Sequence, residues 1–193
     1  SPIPIIVEKC IEYLEKRGLD TEGIYRVSGS KSRVKELREA FDSGEDDLDS
    51  LDESITEESE DLEEYDVHDV AGLLKLYLRE LPEPLLTFEL YEEFIEAAKL
   101  YQIEATSRKQ SEKSEDEEER LRALRELLSL LPPANRATLR YLLHLNRVAE
   151  HSEVNKMTAR NLAIVFGPTL LRPPLTDIKH QNKVVETLIE NAD

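Results

Sequence analysis

Cysteine is nearly missing from these 193 residues; only Cys10 is present. A disulfide framework within the chain is thereby excluded, and a reducing, intracellular setting is the plain reading. Cys10 falls in the apolar series Ile6, Val7, Cys10, Ile11, Leu14, so it reads as a small core residue rather than a nucleophile. No apolar run approaches the roughly 18 residues of a membrane span, and no signal peptide opens the chain. Cations are scarce, 25 Lys and Arg against 42 Asp and Glu, so the basic footprint of a nucleic-acid binder is lacking. No Gly-rich phosphate loop is present, and the chain is not expected to hold a nucleotide itself. His68, His144, His151 and His180 lack metal-ligand spacing with cysteine or one another, so no metal is expected. No strand pattern of any strength appears.

What the chain does carry is 39% hydrophobic residues, enough for a packed core without disulfides or metal. Its length suits one domain over 1–193, burying roughly 70% of the surface the unfolded chain exposes. The net charge of −17 is local: residues 42–66 hold 14 Asp or Glu and no Lys or Arg, and the remainder carries only −3. That segment is expected to be a disordered insertion, since like charges repel and few apolar side chains are on offer; an acidic docking surface is the alternative. The start at Ser-Pro-Ile-Pro and the end at Ile-Glu-Asn-Ala-Asp read as the edges of a domain cut from a longer protein.

Helical periodicity dominates. Pro2 to Arg17 reads as a helix, with Gly18 just past its end. A glycine-flanked connector at 19–29 follows. Ser30 is placed to cap a helix over about 31–41, with Val34, Leu37, Ala40 and Phe41 inward. Asp66 or Asp69 caps a helix through Leu81, stopped by Pro82 and Pro84. Thr87 caps the next, around Leu90, Phe94, Ile95 and Ala98. Residues 104–118 read as a second, flexible polar insertion. Helices are then expected over about 117–131, from an Asn135 cap to about 150, over about 158–165, and over about 177–191. Phe166-Gly167-Pro168 and Pro82-Glu83-Pro84 read as chain reversals. The expectation is an all-α domain of about eight to nine helices in a single bundle.

Three blocks carry chemistry: Gly-Ile-Tyr-Arg-Val-Ser-Gly at 23–29, Leu-Lys-Leu-Tyr-Leu-Arg-Glu-Leu-Pro-Glu-Pro-Leu at 74–85, and Asn-Lys-Met-Thr-Ala-Arg-Asn-Leu-Ala-Ile-Val-Phe-Gly-Pro-Thr-Leu-Leu at 155–171. Taken together, and in this order, they resemble the RhoGAP family over essentially the whole chain outside the two polar insertions. The resemblance implies a RhoGAP-like helical bundle that accelerates GTP hydrolysis by a Rho/Rac-class small GTPase in its GTP-bound state. Arg26 matches the family's arginine finger; Lys75, Arg79 and Asn161 match residues that hold the finger loop and meet the GTPase. Such a domain is an activator rather than an enzyme. It has no cofactor of its own, because GTP, Mg²⁺ and the attacking water come with the partner.

The residues support these roles to different degrees. Arg26 lies between Gly23 and Gly29, which permit tight turns beside it, whereas a lone exposed Arg is usually a solvated charge. Lys75 and Arg79 share one helical face and interrupt an apolar band of Val70, Leu73, Leu74, Tyr77, Leu78 and Leu81; Glu80 or Glu83 are the salt-bridge partners a purely solvated pair would find. Asn161 has poor propensity for a helix interior, consistent with a functional placement or with a buried Asn satisfying backbone groups. Asn155 reads as part of a connector or cap. The rival function is a non-catalytic GTPase-binding scaffold of the same fold; a structural adaptor ranks last. The acidic insertion is further expected either to act as an autoinhibitory strap, pairing with Arg26, Lys75 or Arg79, or to have no such role. A monomer in the cytoplasm is expected, with any membrane recruitment left to other parts of the full-length protein and no direct membrane insertion. One departure from the family stands out: Thr138 to Val148 is a residue short between the Leu142-Leu143 pair and His144. In a helix that deletion rotates the downstream residues by about 100°, so Asn146 falls where an apolar residue belongs. A local tightening, or a rotated second half, is the expected remedy.

Overall fold

The computed structural model describes residues 1–48, 65–105, 110–172 and 177–192. Among them every regular element is a helix: α1 (Ile5–Arg17), α2 (Lys31–Asp42), α3 (Val67–Glu80), α4 (Tyr91–Ala105), α5 (Gln110–Leu130), α6 (Pro133–Leu142), α7 (Leu145–Glu150), α8 (Ser152–Asn155), α9 (Ala159–Leu171) and α10 (Ile178–Glu190). The all-α expectation therefore stands. The core gathers the predicted apolar stripes: Val7, Cys10, Ile11 and Leu14 from α1, Val70, Leu73, Leu74 and Leu78 from α3, and Leu162, Phe166 and Leu170 from α9 are all buried. α3 packs on α1, α2 and α9; α9 in turn carries α10 and touches α7. Burial holds the Cys10 thiol well above its ordinary pKa, as a core role requires.

Several boundaries differ from expectation, each for a local reason. α1 opens at Ile5 behind Pro4, not at Pro2. In α2 only Leu37 is fully buried, and Val34, Ala40 and Phe41 are half-buried. Ser30 stands at its N-cap position without a capping bond, its hydroxyl meeting Ser32 instead. At α3 both aspartates are used: Asp66 is the cap and Asp69 completes a capping box, satisfying two of the free N–H groups. α4 begins at Tyr91, so Thr87 caps not the helix but the turn before it, through Leu90 N–H.

The polar stretch expected at 104–118 is largely helical. α4 runs to Ala105 and α5 begins at Gln110, so only 106–109 of it lies outside the described residues. Glu, Lys, Gln and Arg are strong helix formers, and acidic residues suit a helix's N-terminal half. The helix expected from about 117 therefore begins earlier, at Gln110. Asn135 does not cap α6, which starts at Pro133, the position a proline tolerates best. The Asn135 amide donates instead to the Leu85 carbonyl, 3.0 Å away. Phe166-Gly167-Pro168 is no reversal either. α9 continues through it to Leu171 with Pro168 inside. Gly167 is needed for space: a Cβ there would stand 3.2 Å from Asn182 Cα on α10.

A break falls where the chain was expected to be a residue short, near His144. α6 ends at Leu142 and α7 begins at Leu145. Across the gap, His144 N–H bonds to Tyr141 C=O, Asn146 to Leu143 and Arg147 to His144, tight three-residue spacings that restart the helix. Leu145 can then be buried. Asn146, at the suspect apolar position, donates 2.8 Å to the Ile189 carbonyl of α10.

A candidate arginine finger and the side chains that hold it

Arg26 lies in the turn between α1 and α2 and is exposed, while Gly23, Ile24 and Tyr25 just before it are buried. The turn folds tightly: Arg26 and Val27 N–H both reach the Gly23 carbonyl at 2.8 Å. Such a fold needs positive φ, found at Gly23 (+72°) and Tyr25 (+70°); for glycine this costs little, for tyrosine it must be held in place from outside. The guanidinium makes no hydrogen bond or ion pair among the described residues. It lies back over the turn, so that a Cβ on Gly23 would stand 3.2 Å from Nη2.

Four neighbours hold the turn. Lys75, half-buried on α3, donates 2.6 Å to the Tyr25 carbonyl. Burial, and then the nearby Arg79 charge, hold the Lys75 ammonium below the ordinary lysine range. Asn155, at the end of α8, accepts the Gly23 N–H on its own carbonyl at 2.8 Å. Asp69, only 2% exposed, accepts Ser30 N–H at 2.7 Å with one oxygen and Asp66 N–H with the other, welding the end of the turn to the start of α3. The fourth is His144, whose Nε2 stands 2.5 Å from the Tyr25 hydroxyl.

Gly29 permits the close approach to α3. A Cβ there would fall 2.7 Å from both Asp69 Cα and His68 O, backbone atoms that cannot yield. Gly29→Ala is therefore expected to lower the urea midpoint by the equivalent of about 1–3 kcal/mol and to loosen the Arg26 turn. An unchanged midpoint would show that the approach is not as tight as described.

Of the other predicted site residues, Arg79 is exposed one turn beyond Lys75. The proposed surface partners are engaged elsewhere: Glu80 pairs with Arg38 at 3.0 Å, and Glu83 accepts from Phe88 N–H. Asn161 is not in a helix interior. It lies in the first turn of α9, its N–H capped by Thr158, and its amide donates 3.1 Å to the Lys156 carbonyl. Helix-interior propensity therefore has no bearing on Asn161. Lys156 directly follows Asn155, so Asn161 and the Gly23 anchor belong to one connected turn. The acidic segment expected at 42–66 is mostly beyond description, since 49–64 lie outside the described residues.

Sequence reading missed Asp69, Asn155 and His144 as holders of the turn. Asp69 carried a signal, as a second acidic residue at a helix start. Asn155 and His144 carried none, because the partners that tie them to the turn are Leu19 and Gly23 in one case and Tyr25 and Glu15 in the other, all distant in sequence.

A sequence model of the RhoGAP domain matches residues 4–175. This chain belongs to the RhoGAP family. It is 45% identical to Rho GTPase-activating protein 45 of Mus musculus, over 97% of this chain and 17% of that protein. It is 43% identical to N-chimaerin of Homo sapiens, over 98% of this chain and 38% of that protein. This RhoGAP domain thus spans well under half the length of these two curated relatives. Among solved structures it is similar to human Rho GTPase activating protein 15, with a TM-score of 0.79 at 35% identity, covering 99% of this chain and 82% of that one. No helix among the described residues of the RhoGAP domain is long and apolar enough to cross a membrane.

Proposed function

We propose that this chain activates GTP hydrolysis by Rho/Rac-class GTPases in the GTP-bound state, inserting Arg26 into the partner's active site. The observation that carries the reading is an exposed arginine on a turn whose flanking residues are buried and bonded on both sides. On such a mount the backbone is already ordered, and only the Arg26 side chain, which lies back over the turn, has to swing out into another protein's cleft. Charge developing on the transferred phosphoryl group is then met by a fixed cation, which lowers the transition state more than the ground state. GTP, Mg²⁺ and the attacking water belong to the partner, so the chain is an activator with no cofactor of its own. Lys75 holds the turn, and Arg79 and Asn161 face the GTPase beside it.

Single-turnover GTP hydrolysis by a panel of Rho-family GTPases tests this. Acceleration of at least one is expected. Binding without acceleration of any would leave the scaffold reading in its place. Lys75→Met removes a charged donor from the Tyr25 carbonyl and is expected to lower the accelerated rate about 10–100-fold. Stability should change little, since losing a half-buried ammonium also relieves its desolvation. A Lys75→Met domain as fast as wild type would remove Lys75 from the finger's support.

A further inference from the structure

Tyr25 is held at both ends, and the second hold has no part in the reading above. Its carbonyl takes the Lys75 ammonium. Its ring is fully buried, with Phe166 edge-on at 5.1 Å and the His144 ring at 5.8 Å. Its hydroxyl stands 2.5 Å from His144 Nε2. On the far side, His144 Nδ1 stands 3.0 Å from Glu15 Oε1, and the other Glu15 oxygen takes Arg147 at 2.8 Å. A carboxylate only accepts, so Nδ1 carries the hydrogen and Nε2 of the neutral ring is free to accept from the Tyr25 hydroxyl. The His144 bond foremost holds the Glu15 carboxyl below its usual range.

We infer that Glu15 and His144 are positioning residues for the finger: through the Tyr25 hydroxyl they fix the backbone from which Arg26 projects. The inference rests on the finger reading of Arg26. Tyr25 directly precedes Arg26 at φ +70°, a conformation that a side chain with a Cβ rarely adopts unaided. Rotation about that backbone would swing the guanidinium, and a ring bonded at its tip prevents the rotation. The chain Glu15–His144–Tyr25 links α1, the α6–α7 break and the finger turn. It also gives the break at His144 a use, since that is where the imidazole leaves the helix to meet the tyrosine.

The terminal amide of Gln reaches the place of His Nε2 and, turned with its oxygen there, accepts from the Tyr25 hydroxyl; that of Asn reaches only the place of Nδ1. Tyr25→Phe, His144→Asn, His144→Gln, the double variant Tyr25→Phe/His144→Asn and Arg26→Ala are compared in one single-turnover titration against a responsive GTPase, each checked by thermal melting. Tyr25→Phe and His144→Asn should each lower the saturating rate about tenfold, a misaimed finger, with the half-saturating concentration within about twofold of wild type. The double variant should lose no more than either single one, because both break the same bond. His144→Gln, which retains a group opposite the hydroxyl, should keep at least about half the wild-type rate. Full activity of Tyr25→Phe overturns the inference, as does multiplicative loss in the double variant, or a His144→Gln no better than His144→Asn. Should a His144 variant melt, Tyr25→Phe decides, since it removes one oxygen only. If Arg26→Ala is inactive and Tyr25→Phe is at full rate, the positioning role alone falls; if Arg26→Ala is fully active, the finger reading itself falls.

Discussion

Arg26→Ala is expected to abolish nearly all acceleration, lowering the single-turnover rate at saturating domain about 10³–10⁵-fold, the range an arginine finger contributes in other GTPase systems. By the usual conversion that is about 4–7 kcal/mol of barrier. Arg26 makes no ion pair or hydrogen bond among the described residues, so its removal takes nothing from the fold, and the melting temperature should stay within about 1 °C. Its contribution is confined to the moment when charge moves onto phosphoryl oxygens. Binding to a GTPase loaded with a non-hydrolysable GTP analogue should therefore change far less than the rate. Arg26→Lys should restore little, because an ammonium on a flexible stem lacks the planar fork that meets two oxygens at once. An Arg26→Ala domain that still accelerates hydrolysis as wild type does would end the finger assignment. One that loses binding and rate equally would make Arg26 a docking residue instead.

The second large effect is on stability. Asn155 is fully buried. Its amide donates to the carbonyls of Leu19 at 2.7 Å and Val148 at 2.8 Å, and its side-chain oxygen accepts Met157 N–H at 2.7 Å. One side chain thus closes three backbone groups from three segments, and sets the left-handed residue Lys156, φ +63°, between them. Asn155→Ala would leave the Leu19 carbonyl and the Met157 N–H without partners, while the Val148 carbonyl would keep only His151 N–H at 3.1 Å. At about 1–3 kcal/mol for each orphaned group, partly relieved by relaxation, the expected loss is about 3–4 kcal/mol. In a domain of this size that lowers the melting temperature by about 10 °C. Asn155→Asp should rescue little, since the two carbonyls would then face a carboxylate. Activation should fall as well, because the Asn155 carbonyl holds Gly23 N–H at the base of the finger turn. A melting temperature within about 1 °C of wild type would refute this account of Asn155.

The contrast between these two residues shows what was legible beforehand. Arg26 was visible because its heptapeptide is local: glycines for the turn, an arginine at its tip, and matching blocks downstream. Lys75 was visible because a cation among Val70, Leu74 and Leu78 violates the pattern of its own helix. Asn161 was singled out on helix propensity, which carries little weight in the capped first turn where it lies. The start of α5 at Gln110 was not legible because a polar run there carries no apolar stripe to mark a helix. Gly167-Pro168 misled because a proline's cost within a helix depends on what packs around it.

Helix periodicity, proline and glycine stops, and the order of the three blocks settled the all-helical class, the family and the finger candidate. These are short-range properties, written within a few turns of chain. Which side chains besides Lys75 hold the Arg26 turn was decided only by tertiary structure. Asp69, Asn155, His144 and Glu15 act on the turn from four different places in the chain, across separations of up to 136 residues between Leu19 and Asn155. A buried polar group takes whatever partner packing brings within about 3 Å, and no local pattern in the chain records which one that will be.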